Sequence, residues 1–169
     1  RPTYYVAAFN VAWANSTGKY ILMLDDDSFP GAKSLGKAVE ILEKNSEIGL
    51  ISMGILNYDS FYKSEDYSEF TFDDSQGNGN EVFGFSGCGA VVRRSTFQKY
   101  GHLSEITGME DVPELHTCIR TWNEGLKIMA FKDIFVFHHL SQIGKPAEQR
   151  GSTRAMLGSA TAMGLFYIR

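Results

Sequence analysis

A short apolar segment that ends in three consecutive aspartates constrains this 169-residue chain more than any other feature. The segment Tyr20–Leu24 shows no polar alternation, which predicts a strand that is buried on both faces of a sheet. Asp25, Asp26 and Asp27 follow at its carboxyl end, where open α/β sheets bind their ligands. We therefore expect a sheet whose edge carries a concentrated negative charge.

The three carboxylates point to a metal site, although they do not require one. Adjacent carboxylates repel one another, so their close approach needs a cation or several hydrogen-bond donors. Carboxylate oxygens suit Mg²⁺ and Mn²⁺, and either ion can hold a diphosphate. An exposed acidic turn that caps the helix after Pro30 explains the triplet equally well. The apolar strand before the triplet favours the metal site.

Helix-like and strand-like segments alternate along the chain, which predicts a layered α/β fold with helices on both faces of the sheet. The predicted helices are Tyr4–Asn15, Ala32–Asn45, Ser95–Tyr100, Pro113–Glu124 and a final helix from about Ala147. The predicted strands are Lys19–Leu24, Ile48–Ile55, a glycine-punctuated region at Glu81–Arg93, Lys127–Phe131 and Ile134–His138. The first strand–helix–strand unit favours a parallel pair with a right-handed crossover.

Two helices carry apolar stripes, and one segment departs from the α/β pattern. The stripes are Leu35, Val39 and Leu42 in one helix, and Leu115, Ile119 and Trp122 in another. Asn57–Asn80 is rich in aromatic and acidic residues, which predicts an excursion from the core. A solvated loop with anchoring aromatic residues is the alternative interpretation.

Composition narrows the classes of partner and compartment. The net charge of -4 gives no basic footprint, so we expect no nucleic-acid partner. No stretch approaches the ~20 uninterrupted apolar residues that span a bilayer. Cys88 and Cys118 fit no zinc or redox spacing, which predicts free thiols in a reducing compartment and hence a cytoplasmic location.

Five motifs occur in order: Gly18–Ser28, Gly87–Gly89, Met109–Asp111, Arg120 with Gly125–Ile128, and Val136–His139. Their order and spacing resemble the family 2 glycosyltransferases of the GT-A fold over nearly the whole chain. The resemblance implies a Rossmann-like layered sheet and makes Asp25-x-Asp27 similar to the metal-binding DxD motif. The nucleotide-binding unit with which that family begins has no counterpart here. We therefore expect residues 1–169 to be one partial GT-A-like domain.

The resemblance also implies an activity. Family members transfer a sugar from a nucleotide-diphosphate sugar to a hydroxyl acceptor with inversion, with Mn²⁺ or Mg²⁺ as cofactor. The acceptor is a carbohydrate or a lipid-linked hydroxyl in polysaccharide or glycoconjugate biosynthesis, and a full-length protein could associate peripherally with the inner face of the membrane. Asp26 is a candidate contact to the diphosphate. Arg150 and Arg154 are candidates to close over it, although ordinary surface charge explains them too.

Glu110 and Asp111 precede the helix that is predicted to begin at Pro113. Glycosyl transfer needs a base to remove the proton of the acceptor hydroxyl, and a carboxylate at a helix entrance can supply it. Taken alone, an aspartate at this position is more often a helix cap. With the family resemblance, Asp111 is the preferred base and Glu110 the second candidate.

His138 and His139 end an apolar strand, where an imidazole could complete a metal site. Adjacent strand residues point to opposite faces, so only one of the two can reach it. We prefer His138 because its spacing to Ser141 fits the family, and we expect His139 to be a hydrogen-bonded core residue.

The motif Gly87-Cys88-Gly89 is the remaining candidate, and it could let the backbone approach the donor sugar or the acceptor closely. A plain tight bend is the alternative interpretation of these three residues.

Two other functions compete with glycosyl transfer. A phosphatase of the haloacid dehalogenase type also carries an Asp-x-Asp after a buried strand, but the histidine strand and the glycine motif have no place in it. A non-catalytic GT-A-like domain that binds sugar or a partner protein is the second alternative. The presence of both the Asp25/Asp27 pair and Glu110-Asp111 argues against it, because a binding module needs no base.

Overall fold

The computed structural model describes residues 5–57, 79–98 and 113–139. The helices in these ranges are α1 (Tyr5–Asn15), α2 (Ser34–Lys44), α3 (Ser95–Gln98) and α4 (Pro113–Asn123). The strands are β1 (Tyr20–Met23), β2 (Ser28–Pro30), β3 (Ile48–Asn57), β4 (Asn80–Glu81), β5 (Ala90–Arg93) and β6 (Lys127–His138). Residues 58–78 of the predicted excursion and the predicted final helix lie outside the described residues.

The six described strands form one mixed sheet in the order β1–β5–β3–β6–β2, with β4 also paired to β6. Only β3 and β6 are parallel neighbours in this part of the chain. The predicted parallel pair of the first and second strands is wrong as a pairing. Strands β1 and β3 do run in the same direction, but β5 lies between them and is antiparallel to both.

Strand β6 joins two segments that the sequence predicts as separate strands. Its pairing with β3 jumps from Met53–Phe131 to Gly54–Phe135, so the intervening residues of β6 form a bulge. The bulge is held from outside the sheet. Asp133 lies 2.6 Å from the ammonium group of Lys37 in α2. The prediction of two strands is therefore wrong, because an interrupted apolar pattern does not distinguish a bulge from a loop.

Buried side chains form one cluster on each face of the sheet, as expected for helices on both sides. Strand β5 shows the division, because its adjacent residues Val91 and Val92 point into different clusters. Val92 packs in the cluster that Phe9 of α1 and Cys118 of α4 cover. Val91 packs in the cluster that contains Leu42 of α2. The predicted layered α/β fold is confirmed.

The predicted apolar stripes need correction in both helices. In α2 the buried face consists of Ser34, Ala38 and Leu42, whereas Leu35 is 38% exposed. Small side chains bring this helix close to β6, where Ser34 Oγ accepts a hydrogen bond from the Phe135 backbone N–H at 3.0 Å. Apolar spacing misses such a face, because serine and alanine contribute little to the pattern.

In α4 the exposed Trp122 is wrongly assigned to the buried stripe, and Leu115 and Ile119 are only half-buried. The side chains that α4 buries most deeply are mostly polar: His116, Thr117, Cys118, Arg120 and Thr121. Buried polar groups are tolerated when they are hydrogen-bonded, and Thr121 Oγ1 donates to the Thr117 carbonyl at 2.8 Å. Gly125, with φ of +69°, then ends the helical segment as predicted.

Strand β1 is half-buried and lies at one end of the strand order of the described sheet, instead of being buried on both faces. Leu24, at the end of the predicted strand, is 37% exposed. None of the described helices is long and apolar enough to cross a bilayer.

Candidate active site

A tight turn after β1 presents the three aspartates. The backbone N–H of Ser28 donates to the carbonyl of Asp25 at 3.1 Å, which closes the turn and starts β2. Asp25 and Asp27 are partly buried in this arrangement, whereas Asp26 is exposed. The turn therefore directs two of the three carboxylates toward the protein.

Strand register explains which residues meet the aspartates. The pairing of β1 with β5 ends at Met23–Ala90, so Asp25 and Cys88 both lie two residues beyond the last pair. At the end of β6, His138 pairs with Ser28 of β2 and with Asn57 of β3. Three chain segments that are far apart in sequence thus meet at one edge of the sheet.

The side chains at this edge form a close cluster. His138 Nε2 lies 3.0 Å from Asp27 Oδ1, and the imidazole is nearly buried. Asp25, Cys88 and His138 each offer a ligand atom within 4.8 Å of the other two. The prediction that His139 is a core residue is wrong, because it is exposed at the end of β6; its backbone N–H donates to the Asp27 carbonyl at 2.9 Å. Of the two adjacent histidines, His138 is the one that lies beside the carboxylates.

Cys88 completes the cluster from a turn of its own. The Ser86 hydroxyl donates to Cys88 Sγ at 3.3 Å, and this sulfur lies 3.7 Å from His138 Nδ1. Burial raises the pKa of the Cys88 thiol, and the Asp25 and Asp27 carboxylates raise it further, while the hydrogen bond from Ser86 lowers it. These surroundings favour the neutral thiol of Cys88 over its thiolate.

At one position of the Gly87–Gly89 motif, packing explains why the residue is glycine. A Cβ on Gly89 would lie 2.6 Å from Val136 Cγ1, and the Gly89 carbonyl accepts the Met53 backbone N–H at 3.1 Å. Packing against β3 and β6 is therefore sufficient to require glycine at position 89, whether or not a ligand binds there. Gly87 is buried in the adjoining turn. A contact from Gly87, Cys88 or Gly89 to a sugar stays a prediction.

The chemistry of the donor set fits a divalent ion. Of the three groups whose ligand atoms lie together, the Asp25 carboxylate and the His138 imidazole suit a transition ion such as Mn²⁺. Asp27 adds a second carboxylate through its 3.0 Å contact with His138, and Mg²⁺ accepts the oxygen ligands. The Ser28 hydroxyl supports the same interpretation, because its oxygen is inaccessible and has no hydrogen-bond partner among the described residues. Ser28 and His138 are directly paired across β2 and β6, so this buried oxygen lies beside the histidine.

Sequence reasoning missed Ser28 and Ser86, and it did not predict that Cys88 lies beside Asp25 and His138. A polar residue directly after the aspartates was a usable signal for Ser28. The neighbourhood of Cys88 depends on strand register, which local patterns do not reveal. The predicted residues Glu110, Asp111, Arg150 and Arg154 lie outside the described residues.

Known proteins resemble this chain in sequence and in fold. Residues 2–101 match the glycosyl transferase family 2. A comparison with curated proteins found no match. A mannosyltransferase from Pyrobaculum calidifontis, solved with GDP-Man and Mn²⁺, superposes with a TM-score of 0.56 at 19% identity, over 82% of this chain and 37% of that chain.

TarS from S. aureus is a second structural relative. Its 1-349 fragment, solved with UDP-GlcNAc, gives a TM-score of 0.53 at 15% identity over 79% of this chain and 38% of that one. Another TarS structure gives 0.54 at 12% identity, and the match covers 24% of its length. The chain thus spans less than two fifths of each of these structures.

At these identities the structural likeness speaks for the fold alone, which is that of the GT-A glycosyltransferases. The sequence match is independent of that likeness and covers more than half of the chain, including the aspartate turn and the Gly87–Gly89 motif. The chain therefore belongs to glycosyl transferase family 2.

Proposed function

We propose that this chain is the catalytic part of a metal-dependent, inverting glycosyltransferase that acts on a nucleotide-diphosphate sugar. The observation that carries the proposal is the 3.0 Å contact between Asp27 and His138, with Asp25 beside them at the edge of the sheet. A cluster of two carboxylates and one imidazole can hold a divalent ion against a diphosphate. An acidic turn that merely caps a helix needs no buried histidine at this point.

In this proposal Asp25, Asp27 and His138 hold Mn²⁺ or Mg²⁺. When bound, the ion supplies the positive charge that offsets the charge of the departing diphosphate. Asp27 contacts Nε2 of His138 at 3.0 Å, and Cys88 Sγ lies 3.7 Å from Nδ1 and 3.9 Å from Nε2, so both residues help to position the ring. Such partners fix the orientation of a ligating histidine. Asp26, exposed on the turn, is the proposed additional contact to the diphosphate side of the donor.

The proposed transfer is a single displacement. The acceptor oxygen attacks the anomeric carbon while the bond from that carbon to the diphosphate oxygen breaks. The proton of the acceptor hydroxyl passes to the Asp111 carboxylate, with Glu110 as the second candidate. Attack opposite the leaving group inverts the anomeric centre and needs one base.

The remaining predicted residues take supporting roles in this proposal. Arg150 and Arg154 would close over the diphosphate and neutralise it. The Gly87–Gly89 turn would lie against the donor sugar or the acceptor. The acceptor would be a carbohydrate or a lipid-linked hydroxyl in polysaccharide or glycoconjugate biosynthesis, at a cytoplasmic location with peripheral membrane contact. Residues 1–169 would then form one partial domain.

The structural relatives support the donor class without selecting one nucleotide. The mannosyltransferase was solved with GDP-Man and Mn²⁺, and TarS was solved with UDP-GlcNAc. Both donors carry a sugar on a nucleoside diphosphate. We therefore propose a nucleoside-diphosphate sugar as the donor, without choosing the nucleotide.

A screen of donor binding and donor hydrolysis tests the proposal. UDP-, GDP- and dTDP-sugars are titrated into the protein with Mn²⁺ or with a chelator. We expect one nucleotide-sugar to bind and hydrolyse only with the metal, and Asp27→Asn to abolish both. Glu40→Gln is the matched control, because it removes one carboxylate charge from the exposed surface of α2, where Glu40 contacts Lys44.

Full hydrolysis in the chelator, or equal loss in both variants, would contradict the proposal. Metal-dependent donor binding without hydrolysis or transfer to any acceptor would favour the non-catalytic alternative.

A further inference from the structure

A polar cavity of about 320 Å³ lies at the end of the sheet opposite to the aspartates. It is formed where β1 begins and where β5 ends. Lys19 borders the cavity, and Asp25 is six residues further along the chain. At about 3.3 Å per residue in a strand, that spacing separates the cavity from the cluster of Asp25, Cys88 and His138 by roughly 20 Å. It is therefore a separate feature of the fold.

Backbone pairing places cations on both sides of this cavity. The ladder of β1 and β5 ends at the pair Tyr20–Arg93, and the Arg94 backbone N–H then donates to the Lys19 carbonyl at 3.0 Å. Lys19 and Arg94 are thus neighbours across the two strands. Arg93 also lines the cavity, so three cationic side chains surround it.

The three cationic side chains differ in the hydrogen bonds and ion pairs that they already make. The Arg93 guanidinium is committed to the backbone, because it donates to the carbonyls of Ile48 at 2.5 Å, Asn45 at 2.7 Å and Leu42. These bonds hold the end of α2 against the start of β3. Arg93 therefore contributes charge to the cavity wall while its donors stay occupied.

Lys19 and Arg94 are the cations that a ligand could engage. Lys19 pairs with Glu43 at 2.5 Å, but both side chains are about half exposed or more, and exposed pairs of this kind are weak. The Arg94 Nε atom is inaccessible to solvent and has no hydrogen-bond partner among the described residues. Arg94 lines the cavity, and among the described residues its guanidinium makes no hydrogen bond like those of Arg93, so its outer N–H groups are the ones that a ligand would meet.

The other described lining residues indicate the chemistry of that acceptor. They include Thr17, Ser95 and Gln98, which offer hydroxyl and amide donors, and no described lining residue is acidic. Several donors and a described lining without acidic residues suit an anion with many oxygen acceptors, which would compete with Glu43 for Lys19. Arginine in particular recognises the oxygens of phosphate through its fork of N–H groups.

We propose that this cavity binds a phosphate group, either inorganic phosphate or a phosphomonoester, with Arg94 as the principal contact and Lys19 as the second. The site is independent of the metal and of the glycosyl donor. A free phosphate compound and a phosphomonoester lipid headgroup share this chemistry, and the experiment below separates the two sources.

Calorimetric titration of the protein with inorganic phosphate, at constant ionic strength and in the presence of a chelator, tests the site. The chelator removes any metal through which phosphate could bind at the aspartates. We expect saturable binding to one site, and a dissociation constant at least ~10-fold higher for Arg94→Gln, since one charge-assisted hydrogen bond is lost. Lys127→Gln is the matched control, because it removes one exposed cation that faces Glu81 elsewhere.

A second variant guards against misfolding of Arg94→Gln. Lys19→Gln changes an exposed side chain, so we expect it to fold normally and to weaken phosphate binding by a few-fold. No saturable binding to the parent protein, or equal weakening in the Arg94 and Lys127 variants, would overturn the proposal.

The source of the phosphate is tested with phosphatidylcholine vesicles that contain phosphatidic acid. Sedimentation with these vesicles that inorganic phosphate reverses supports the site and identifies a lipid headgroup as its ligand. Phosphate binding without sedimentation supports the site and identifies a soluble ligand. Sedimentation that phosphate leaves unchanged, together with no binding of free phosphate, would place the membrane contact on another surface and overturn the proposal.

Discussion

Asp27 Oδ1 and His138 Nε2 lie 3.0 Å apart, and the backbone of the next residue, His139, also bonds to Asp27 at its carbonyl oxygen. One aspartate thus holds the end of β6 through both its side chain and its main chain. The side-chain contact brings an imidazole nitrogen to the carboxylates, and the main-chain contact fixes the strand that carries it. The two functions can be separated by mutation.

The first prediction compares the two adjacent histidines. We expect His138→Ala to raise the dissociation constant for Mn²⁺ at least ~10-fold, because it removes the proposed imidazole ligand. His139→Ala should leave Mn²⁺ affinity within a few-fold of the parent, since its side chain is exposed and its backbone bond to Asp27 is kept. Electron paramagnetic resonance of free Mn²⁺ measures both constants. A larger effect of His139→Ala would mean that the other face carries the site.

The second prediction concerns Asp111, for which the base and the helix cap have different consequences. A general base contributes roughly 10²–10⁴-fold to rate, whereas a lost N-cap costs ~1 kcal/mol of stability. Asp111→Asn is informative because asparagine caps helices about as well as aspartate. We expect normal folding, near-normal donor affinity and transfer that is at least ~100-fold slower.

Single-turnover assays with saturating donor measure the Asp111→Asn effect, with calorimetry of donor binding as the control. Transfer within a few-fold of the parent would shift the role of the base to Glu110. Loss of stability together with loss of donor binding would instead indicate a structural role for Asp111.

The third prediction uses two glycines in different surroundings. Gly89→Ala would force a methyl group against Val136, so we expect it to lower the free energy of unfolding by about 1–3 kcal/mol. Gly36→Ala is the matched control, because a Cβ at that position in α2 meets nothing within 4 Å. Alanine is the better helix former, so this control should stabilise the protein by about 0.5–1 kcal/mol.

Urea unfolding followed by circular dichroism measures both glycine variants. A neutral effect of Gly89→Ala would show that β5 can move away from β6. The Gly87–Gly89 motif would then need a ligand-based explanation.

The fourth prediction concerns the pH dependence of stability through His116. Burial lowers the pKa of this imidazole, and nearby Arg120 lowers it further. The folded protein therefore holds His116 neutral at pH values where the unfolded chain, with a pKa near 6.5, already binds a proton. The contribution of His116 to the free energy of unfolding is therefore full above about pH 6.5, and it is lost as the pH falls toward the folded-state pKa.

We expect the free energy of unfolding to decrease by at most about 1.4 kcal/mol per pH unit from this single group. His116→Gln keeps a polar side chain of similar length without the titration, so the decline below about pH 6.5 should be shallower than in the parent. Urea unfolding at several pH values measures both slopes. Identical slopes in parent and variant would show that His116 does not contribute.

Local patterns predicted the described helices and the strands β1 and β3 to within a few residues, because glycines and apolar runs act over short distances. They missed β2, and they predicted one strand region at Glu81–Arg93 where the structure has β4 and β5. They did not predict that β5 would separate β1 from β3, since strand order depends on pairing between distant segments. They also misassigned the buried faces of α2 and α4, where Ser34, Ala38 and Thr117 are buried in place of larger apolar residues.

The candidate site likewise has residues that the sequence reveals and residues whose placement depends on strand pairing. Three aspartates after an apolar strand and a histidine at the end of another are visible in the sequence, and each predicts a ligand. The proximity of Cys88 is not visible, because it follows from the β1–β5 register. The buried Ser28 hydroxyl becomes noticeable only when β2 is seen to pair with β6.

The bulge in β6 sets the phase of the strand that ends in the two histidines. Beyond it, every residue of β6 faces the side that the bulge dictates, so one residue more or fewer between Phe131 and Phe135 would exchange His138 and His139 at the cluster. The bulge therefore determines which of the two histidines lies beside Asp27. Relatives that differ in length at this bulge would be expected to use the other histidine, or to compensate with a second irregularity before the strand ends.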